Sequence, residues 1–337
     1  MSDSPFLPNT HIQFAWDSTS LGWLKTCPRL YQYSMIEGWR SKGDSVHLKF
    51  GQLYHSGLEY YDKLRAQGKQ ALWDGEEQVP LDHEEALRIV VQTALIDTWE
   101  YAEQDGILPK GGKPWSPDHA AKNRETLIRS IIWYLDHFKD DPAQTVVLAN
   151  GKPAVELSFR MELDYSPQWV TQHPEEKFPS VPYVLCGHLD RVVDFAGGTY
   201  VMDRKTTGTT PGSSYFDQYS PDNQMSLYSL AAKVIYQTPV KGVIIDAVQV
   251  AVGFSRFARG FTHRSESQLE EWLTNTKTWL YSAEQYATEG FWPMNDKACH
   301  HYGGCVFRQV CSKSPEVREK FLESDFERRP WNPLAVR

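Results

Sequence analysis

The sequence predicts a mixed α/β (α+β) fold, and three observations carry that expectation. Helical hydrophobic periodicity dominates from Val46 to Phe138. Strand-like runs rich in Val, Leu, Phe and Tyr follow from Gln144 to Thr207, and a helix, a strand and a long capped helix then complete the pattern to Gly290. The 337 residues include 35 Lys+Arg against 43 Asp+Glu, a formal charge of −8. Coating nucleic acid or an anionic membrane by bulk charge needs an excess of cations, so that class is excluded, while a local basic groove is not. With 41% apolar and 23% charged residues, the composition is that of a globular chain. No apolar run nears the roughly 18 residues of a spanning helix, and MSDSPFLPNT lacks the basic and apolar blocks of a secretory signal. A cytoplasmic chain without a membrane partner is expected.

Taken in order, residues Ser18 to Gly38 are expected to be helical with a break at Pro28, whose ring cannot continue an interior turn. An amphipathic helix follows from about Val46 to Arg65, apolar at Phe50, Leu53, Tyr54, Leu58, Tyr61 and Leu64, with Gly68 as its stop. Two more helices are expected at about Asp82–Glu103 and Asp118–Phe138, separated by the surface loop GILPKGGKPWSP. Then come the strands TVVLA, AVELSFRMEL, YVLCGHLDRVVDF and GTYVMDRKT, the last two joined at Gly197-Gly198, where both positions tolerate positive φ. Ser220-Pro221 is expected to open a helix running to about Tyr236, with Pro at its first position. GVIIDAVQVAV reads as a buried strand, and the capping box Ser265-x-x-Gln268 starts a helix that Gly290 ends.

The hairpin carries chemistry. With Gly197-Gly198 as a two-residue loop, Asp190 falls opposite Lys205 and Val192 opposite Asp203, so Asp190, Asp203 and Lys205 share one sheet face. Two carboxylates and an ammonium have no use in a core, because unpaired burial of any of them costs several kcal/mol. A hard divalent cation suits the carboxylates, with the lysine beside its bound water. Asp-x-Lys alone is common on solvated strands, so context decides. On the Val46–Arg65 helix, His55 and Glu59 stand one turn apart, and Gly51 one turn earlier leaves room for close approach. Gln224 and Tyr228 are likewise one turn apart, before the small pair Ala231-Ala232.

Of five cysteines, Cys299, Cys305 and Cys311 form a C-x5-C-x5-C group, while Cys27 and Cys186 stand alone. Outside an oxidising compartment such spacing is read as metal or cluster ligation before disulfides. Reduced thiols, or a zinc site completed by Cys27, His300 or His301, both fit the spacing. Cys186 is most simply a small buried residue.

In order, GQLYHSGLE on a helix, GHLDRVV and VMDRKTT on strands and QMSLY on a helix resemble the PD-(D/E)XK nucleases of the RecB-like branch, over about Leu21 to Cys311. The resemblance implies one domain over residues 1–337, its central mixed sheet flanked by helices. A helical insertion would cover about 70–142, the sheet core about 144–290 and a cysteine module 291–313 with Cys27, leaving a peripheral tail 314–337. It further implies Asp190 and Asp203 as carboxylate ligands of Mg²⁺ or Mn²⁺, joined by the main-chain carbonyl of Arg204 and by His55. Lys205 would orient or deprotonate the attacking water, and Gln224 and Tyr228 would brace the site and the DNA near it. Asp203 stands where many relatives have Glu. Glu59 and Glu156 are expected in supporting positions. Some RecB-like nucleases hold a 4Fe–4S cluster on one upstream and three downstream cysteines, the arrangement that Cys27, Cys299, Cys305 and Cys311 resemble; structural Zn²⁺ is the alternative.

The implied activity is a metal-dependent DNA nuclease, an exonuclease on ends or single strands, serving recombination, repair or DNA processing with a helicase or recombinase partner. Candidate DNA contacts are Arg191, Arg204, Lys233, Arg256, Arg259 and Arg264, with Trp23, Trp39 or Tyr215 stacking on bases. Two other readings compete: a catalytically silent nucleic-acid-binding or assembly subunit on the same fold, and a zinc-stapled scaffold with a chance Asp-x-Lys.

Overall fold

The structure is a computed structural model that describes residues 4–43, 45–67, 80–101, 112–169, 181–236 and 239–335. Within them the chain forms β1 (Ala15–Trp16), α1 (Ser18–Thr26), α2 (Pro28–Tyr31), β2 (Trp39–Ser41), α3 (Val46–Gln67), α4 (His83–Asp97), β3 (Trp99–Tyr101), β4 (Gly112–Pro114), α5 (Arg124–His137), β5 (Gln144–Thr145) and β6 (Val155–Glu162). There follow β7 (Val184–Phe195), β8 (Gly198–Thr207), α6 (Ser213–Asp217), α7 (Asn223–Tyr236), β9 (Val240–Val250), β10 (Ser255–Thr262), α8 (Glu266–Glu289), α9 (Arg308–Cys311), α10 (Arg318–Asp325) and β11 (Phe326–Arg328). The expected mixed sheet with flanking helices is present. No helix is long and apolar enough to cross a membrane.

The chain divides into two compact units, one drawing on Met1–Gly43, Ser158–His188 and Arg264–Arg337, the other on Asp44–Leu157 and Leu189–His263. In the second unit β8 runs antiparallel to β7 and parallel to β9, β10 returns antiparallel on β9, and β5 adds to β7. A parallel pair needs a crossover connection, which α6 and α7 supply between β8 and β9. Every residue of β9 except Lys241 is buried, as its near-continuous apolar run requires. Helices α3, α4 and α5 form one apolar layer through Phe50, Tyr54, Leu58, Val90, Ala94, Leu127 and Ile131, closed by Val248 and Val250 of β9. Gly57 permits this approach, since a Cβ there would stand 3.0 Å from Ile131 Cδ1.

In the first unit the rings of Trp16 and Tyr31 stack with centroids 5.4 Å apart, and Trp292 lies 5.0 Å from Tyr31. A second cluster joins Tyr33, Trp39, Phe307, Val310, Leu322 and Phe326, and β11 pairs with β2. Trp39 is therefore core, and Arg328 covers its ring at 4.5 Å, so it offers no face to a base.

Several boundaries move for identifiable reasons. The break expected at Pro28 occurs at Cys27, which takes the extended conformation that a following proline favours. Asp82 and Asn123 cap α4 and α5, so the helix expected from Asp118 begins at Arg124. The helix expected to reach Glu103 ends at Asp97, and Trp99–Tyr101 pairs with Gly112–Pro114 instead, within the run read as a loop. Residues 106–111 of that run, and Gly68, lie outside the described residues. Helix α7 begins at Asn223 rather than at Pro221, and the Asp222 carboxylate accepts the Met225 N–H at 2.9 Å. The α8 expectation holds in full, with the Ser265/Gln268 capping box and left-handed Gly290 in place.

The hairpin register also shifts. Phe195 pairs with Gly198, so the loop is Ala196-Gly197, with φ of 48° and 72°, and not Gly197-Gly198. Both loop residues have the positive φ that a tight hairpin twist demands. Val192 faces Val201 instead of Asp203. Each β7 residue thus moves two places along β8, which preserves the face of every side chain. Because Ala196 pays the Cβ cost of a left-handed residue, Ala196→Asn is expected to stabilise the protein by about 0.5–1 kcal/mol. Urea unfolding measures this, and a lower midpoint in the variant would contradict the turn.

Candidate metal centre

Ladder pairing between β7 and β8 continues as far as Arg191–Met202. One step further, Asp190 Oδ2 accepts the Arg204 N–H at 3.0 Å, so a carboxylate takes the place of a ladder acceptor where the strands part. From α3, His55 Nδ1 comes within 3.4 Å of the same oxygen. On β8, Asp203 and Lys205 are two residues apart and share a face, with Lys205 Nζ 2.7 Å from Asp203 Oδ2. Lys205 Nζ also donates to Gln224 Oε1 at 3.0 Å, and Gln224 Nε2 donates to the Tyr228 hydroxyl at 2.9 Å. The structure thus brings together His55, Asp190, Asp203, Lys205, Gln224 and Tyr228 as the sequence led us to expect.

Asp203 is 1% exposed, and its Oδ2 lies 2.7 Å from the Lys205 ammonium. Burial is the largest influence on its carboxyl and raises it; Lys205 opposes this and Asp190 adds to it, leaving the group pushed up to about 7. Burial draws the Lys205 ammonium down, but the charges of Asp203 and Asp190 outweigh that and hold it above the ordinary lysine value. The lysine is therefore a charged donor at neutral pH. Burial, followed by the same two carboxylates, keeps the Tyr228 phenol neutral.

The donor set suits a hard divalent cation: two carboxylates side by side where β7 and β8 part, the one on Asp203 buried. Among the described residues no three side chains of His, Cys, Asp or Glu converge as a finished metal shell. Asp203 is engaged by Lys205, and Asp190 by the Arg204 N–H and His55.

The other face of β8 carries a second set of charges. Arg204 Nη2 donates to Asp62 Oδ2 at 2.6 Å, and Arg191 Nε lies 3.7 Å from the same atom. Arg259 grips Asp141 with two hydrogen bonds of 2.7 Å and approaches Asp246 Oδ1 at 3.4 Å, while the Tyr134 hydroxyl donates to Asp246 Oδ2. Arg204, Asp246 and Arg259 are in register across β8, β9 and β10. Arg191, Arg204 and Arg259 are thus spent on internal ion pairs, which corrects their reading as DNA contacts. Arg256 is held by Thr210 and Gln249.

Sequence reasoning missed Asp62, Asp141 and Asp246, whose only signal is an acid within an apolar helix or strand or beside one. It also missed Asp222, whose charge acts on both Asp203 and Lys205 and whose position before α7 is a recognisable cap. Glu59 pairs with Lys63 along α3, and Glu156, at φ 51°, acts electrostatically on Tyr228. The Cys186 thiol is buried 3.4 Å from the Trp16 carbonyl oxygen.

Cys27, Cys299, Cys305 and Cys311 all fall in the first unit as free thiols. Asn295 N–H donates to Cys27 Sγ at 3.3 Å, and the Cys305 N–H to the Cys299 carbonyl at 3.0 Å. Burial pushes Cys305 and Cys311 up, and Cys27 adds to both effects. The side chain of His301 lies outside the described part.

A proton held by Asp203 up to about pH 7 competes with a cation for the carboxylate. Without a cation, the stability contributed by that proton is present at low pH and lost as pH rises through about 7. The thermal shift produced by Mn²⁺ is therefore expected to be larger at pH 8 than at pH 6, as read by scanning fluorimetry. Equal shifts at both pH values, or a larger one at pH 6, would count against Asp203 as a ligand.

No curated protein matches the chain. The PD-(D/E)XK nuclease superfamily matches it over residues 18–312, a span that holds every side chain of the Asp203 site and all four grouped cysteines. That superfamily consists mostly of metal-dependent nucleases, which typically use Mg²⁺ or Mn²⁺. With its match covering most of the sequence, the chain belongs to the PD-(D/E)XK nuclease superfamily.

Proposed function

We propose that this protein is a divalent-cation-dependent deoxyribonuclease of the RecB-like branch, acting on DNA ends or single strands in recombination, repair or processing. The observation that carries the reading is the Lys205 ammonium, fixed between Asp203 at 2.7 Å and Gln224 at 3.0 Å beside a second carboxylate, Asp190. A silent binding module has no use for that arrangement. Asp190, Asp203 and the Arg204 carbonyl would hold the cation, with His55 beside Asp190. When bound, the cation supplies an activated water and neutralises charge at the phosphate.

The chain's own side chains do the rest. Lys205, held charged by Asp203 and Asp190, acts as a donor that orients the attacking water and stabilises the charge growing on the phosphate. Gln224 holds the ammonium on line, and the neutral Tyr228 hydroxyl holds Gln224. Lys205→Ala is expected to lower the cleavage rate by at least about a hundredfold, the usual cost of losing one such donor, while the fold survives. End-labelled linear and closed circular DNA, incubated with Mg²⁺ or Mn²⁺, provide the assay. Linear strands alone should be cut, and cleavage of circles at the same rate would contradict action on ends.

The four cysteines are assigned to a 4Fe–4S cluster, supported by their collection in one unit and by the N–H donated to Cys27, since such bonds tune cluster sulfurs. Four thiolates leave no open position, so its role is structural. Anaerobic purification should give a brown protein absorbing at roughly 400 nm, and a colourless one with stoichiometric zinc would replace iron by zinc. A cytoplasmic location and a helicase or recombinase partner complete the proposal.

A further inference from the structure

Helix α3 brings more than His55 towards a nucleic acid. His47, Gly51 and His55 recur every four residues, so they lie along one stripe of the helix. At the start of that stripe the His47 ring meets His119 edge-on at 5.1 Å. His119 belongs to the segment before α5, and its Nδ1 accepts the Lys122 N–H at 2.9 Å. Lys122 is 6% exposed, an unusual state for a lysine, and its Nζ stands 5.3 Å from the centre of the Phe50 ring. Among the described residues that ammonium meets no carboxylate and no hydrogen-bond acceptor. The neighbouring Lys49 is already matched, 2.8 Å from Glu100. Burial disfavours charge on both Lys122 and His47, and Lys122 and His119 repel a proton from His47 as well. Three cationic or potentially cationic groups thus crowd the positive end of a 22-residue helix, with no anion among them in the described residues.

We propose that Lys122, His47 and His119, together with the Val46 and His47 N–H groups of α3 (the Leu48 N–H already donates to Ser45 Oγ), form a binding site for a backbone phosphate of the DNA strand, remote from the scissile one. The inference rests on the nuclease reading for the identity of the strand. His47 precedes His55 by eight residues, about 12 Å along the helix at 1.5 Å each. On a stacked strand that distance is roughly three to four nucleotides at 3.4 Å each. The site holds the substrate by charge, and it makes no contact with the reacting phosphate.

The test uses the full chain carrying Lys205→Ala, with a 20-nucleotide fluorescent single strand titrated at several NaCl concentrations and read by anisotropy. Adding Lys122→Gln should weaken binding about tenfold and reduce the slope of log K against log salt by about 0.7, the share of one phosphate contact on a single strand. Lys122→Arg should restore most of both. His47→Ala, at an exposed position where folding is not at stake, should weaken binding in the same sense. Unchanged affinity and slope in both Lys122→Gln and His47→Ala would overturn the site. Loss of affinity for inorganic phosphate alone, with oligonucleotide binding intact, would also overturn it, by revealing a small-anion pocket. If the parent chain, with Lys205 intact, leaves the same strand uncut with Mg²⁺ and Mn²⁺, the nuclease reading fails, whereas the site is judged by the salt slope alone.

Discussion

The burial of Asp203 is the constraint to which the rest of the second unit answers. A carboxylate with 1% of its surface exposed must be neutral, paired or bound to a cation, and here Lys205 supplies part of the answer at 2.7 Å. Lys205 needs partners in its turn, which fixes where Gln224 must stand and why α7 carries Tyr228 one turn later. Even with Lys205 as partner, burial leaves the Asp203 carboxyl pushed up to about 7. A buried carboxyl whose desolvation one lysine does not fully offset, next to a second carboxylate, marks a place where stability yields to chemistry.

Strand β8 would be free to shift under that strain if its other face were merely apolar. Instead Arg204, between Asp203 and Lys205 in sequence, points away from them and is clamped by Asp62 at 2.6 Å. Breaking such a buried pair costs about 3–5 kcal/mol, so a slip of β8 is strongly opposed. Helix α3 serves both faces, sending Asp62 to the rear clamp and His55 to Asp190. Strands β7 and β8 and helix α3 thereby hold the acidic pair in register.

Much of this was legible in the sequence because it depends on periodicity. Strand alternation places Asp190, Asp203 and Lys205 on one face, and that inference survived an error in the turn, since a shift of two places conserves the face. Helical spacing linked Gln224 to Tyr228, and the cap at Ser265 located α8. What escaped was long-range pairing. Arg204 and Asp62 are 142 residues apart, and nothing local marks an arginine as buried rather than DNA-facing. Arg191 and Arg259 were misread for the same reason, and Trp39 because a tryptophan carries no label distinguishing core from platform. The excess of acids excluded only coating of nucleic acid by bulk charge, and several of them, Asp62, Asp141 and Asp246 among them, neutralise buried arginines, while Asp190 and Asp203 line the site.

That Asp190 and Asp203 jointly bind a divalent cation is tested most directly by anomalous scattering from crystals of this protein soaked in Mn²⁺. A single strong peak between the two carboxylates, close to the Arg204 carbonyl, is the predicted result. An empty site at a Mn²⁺ concentration that fills other positions on the same molecule would contradict it.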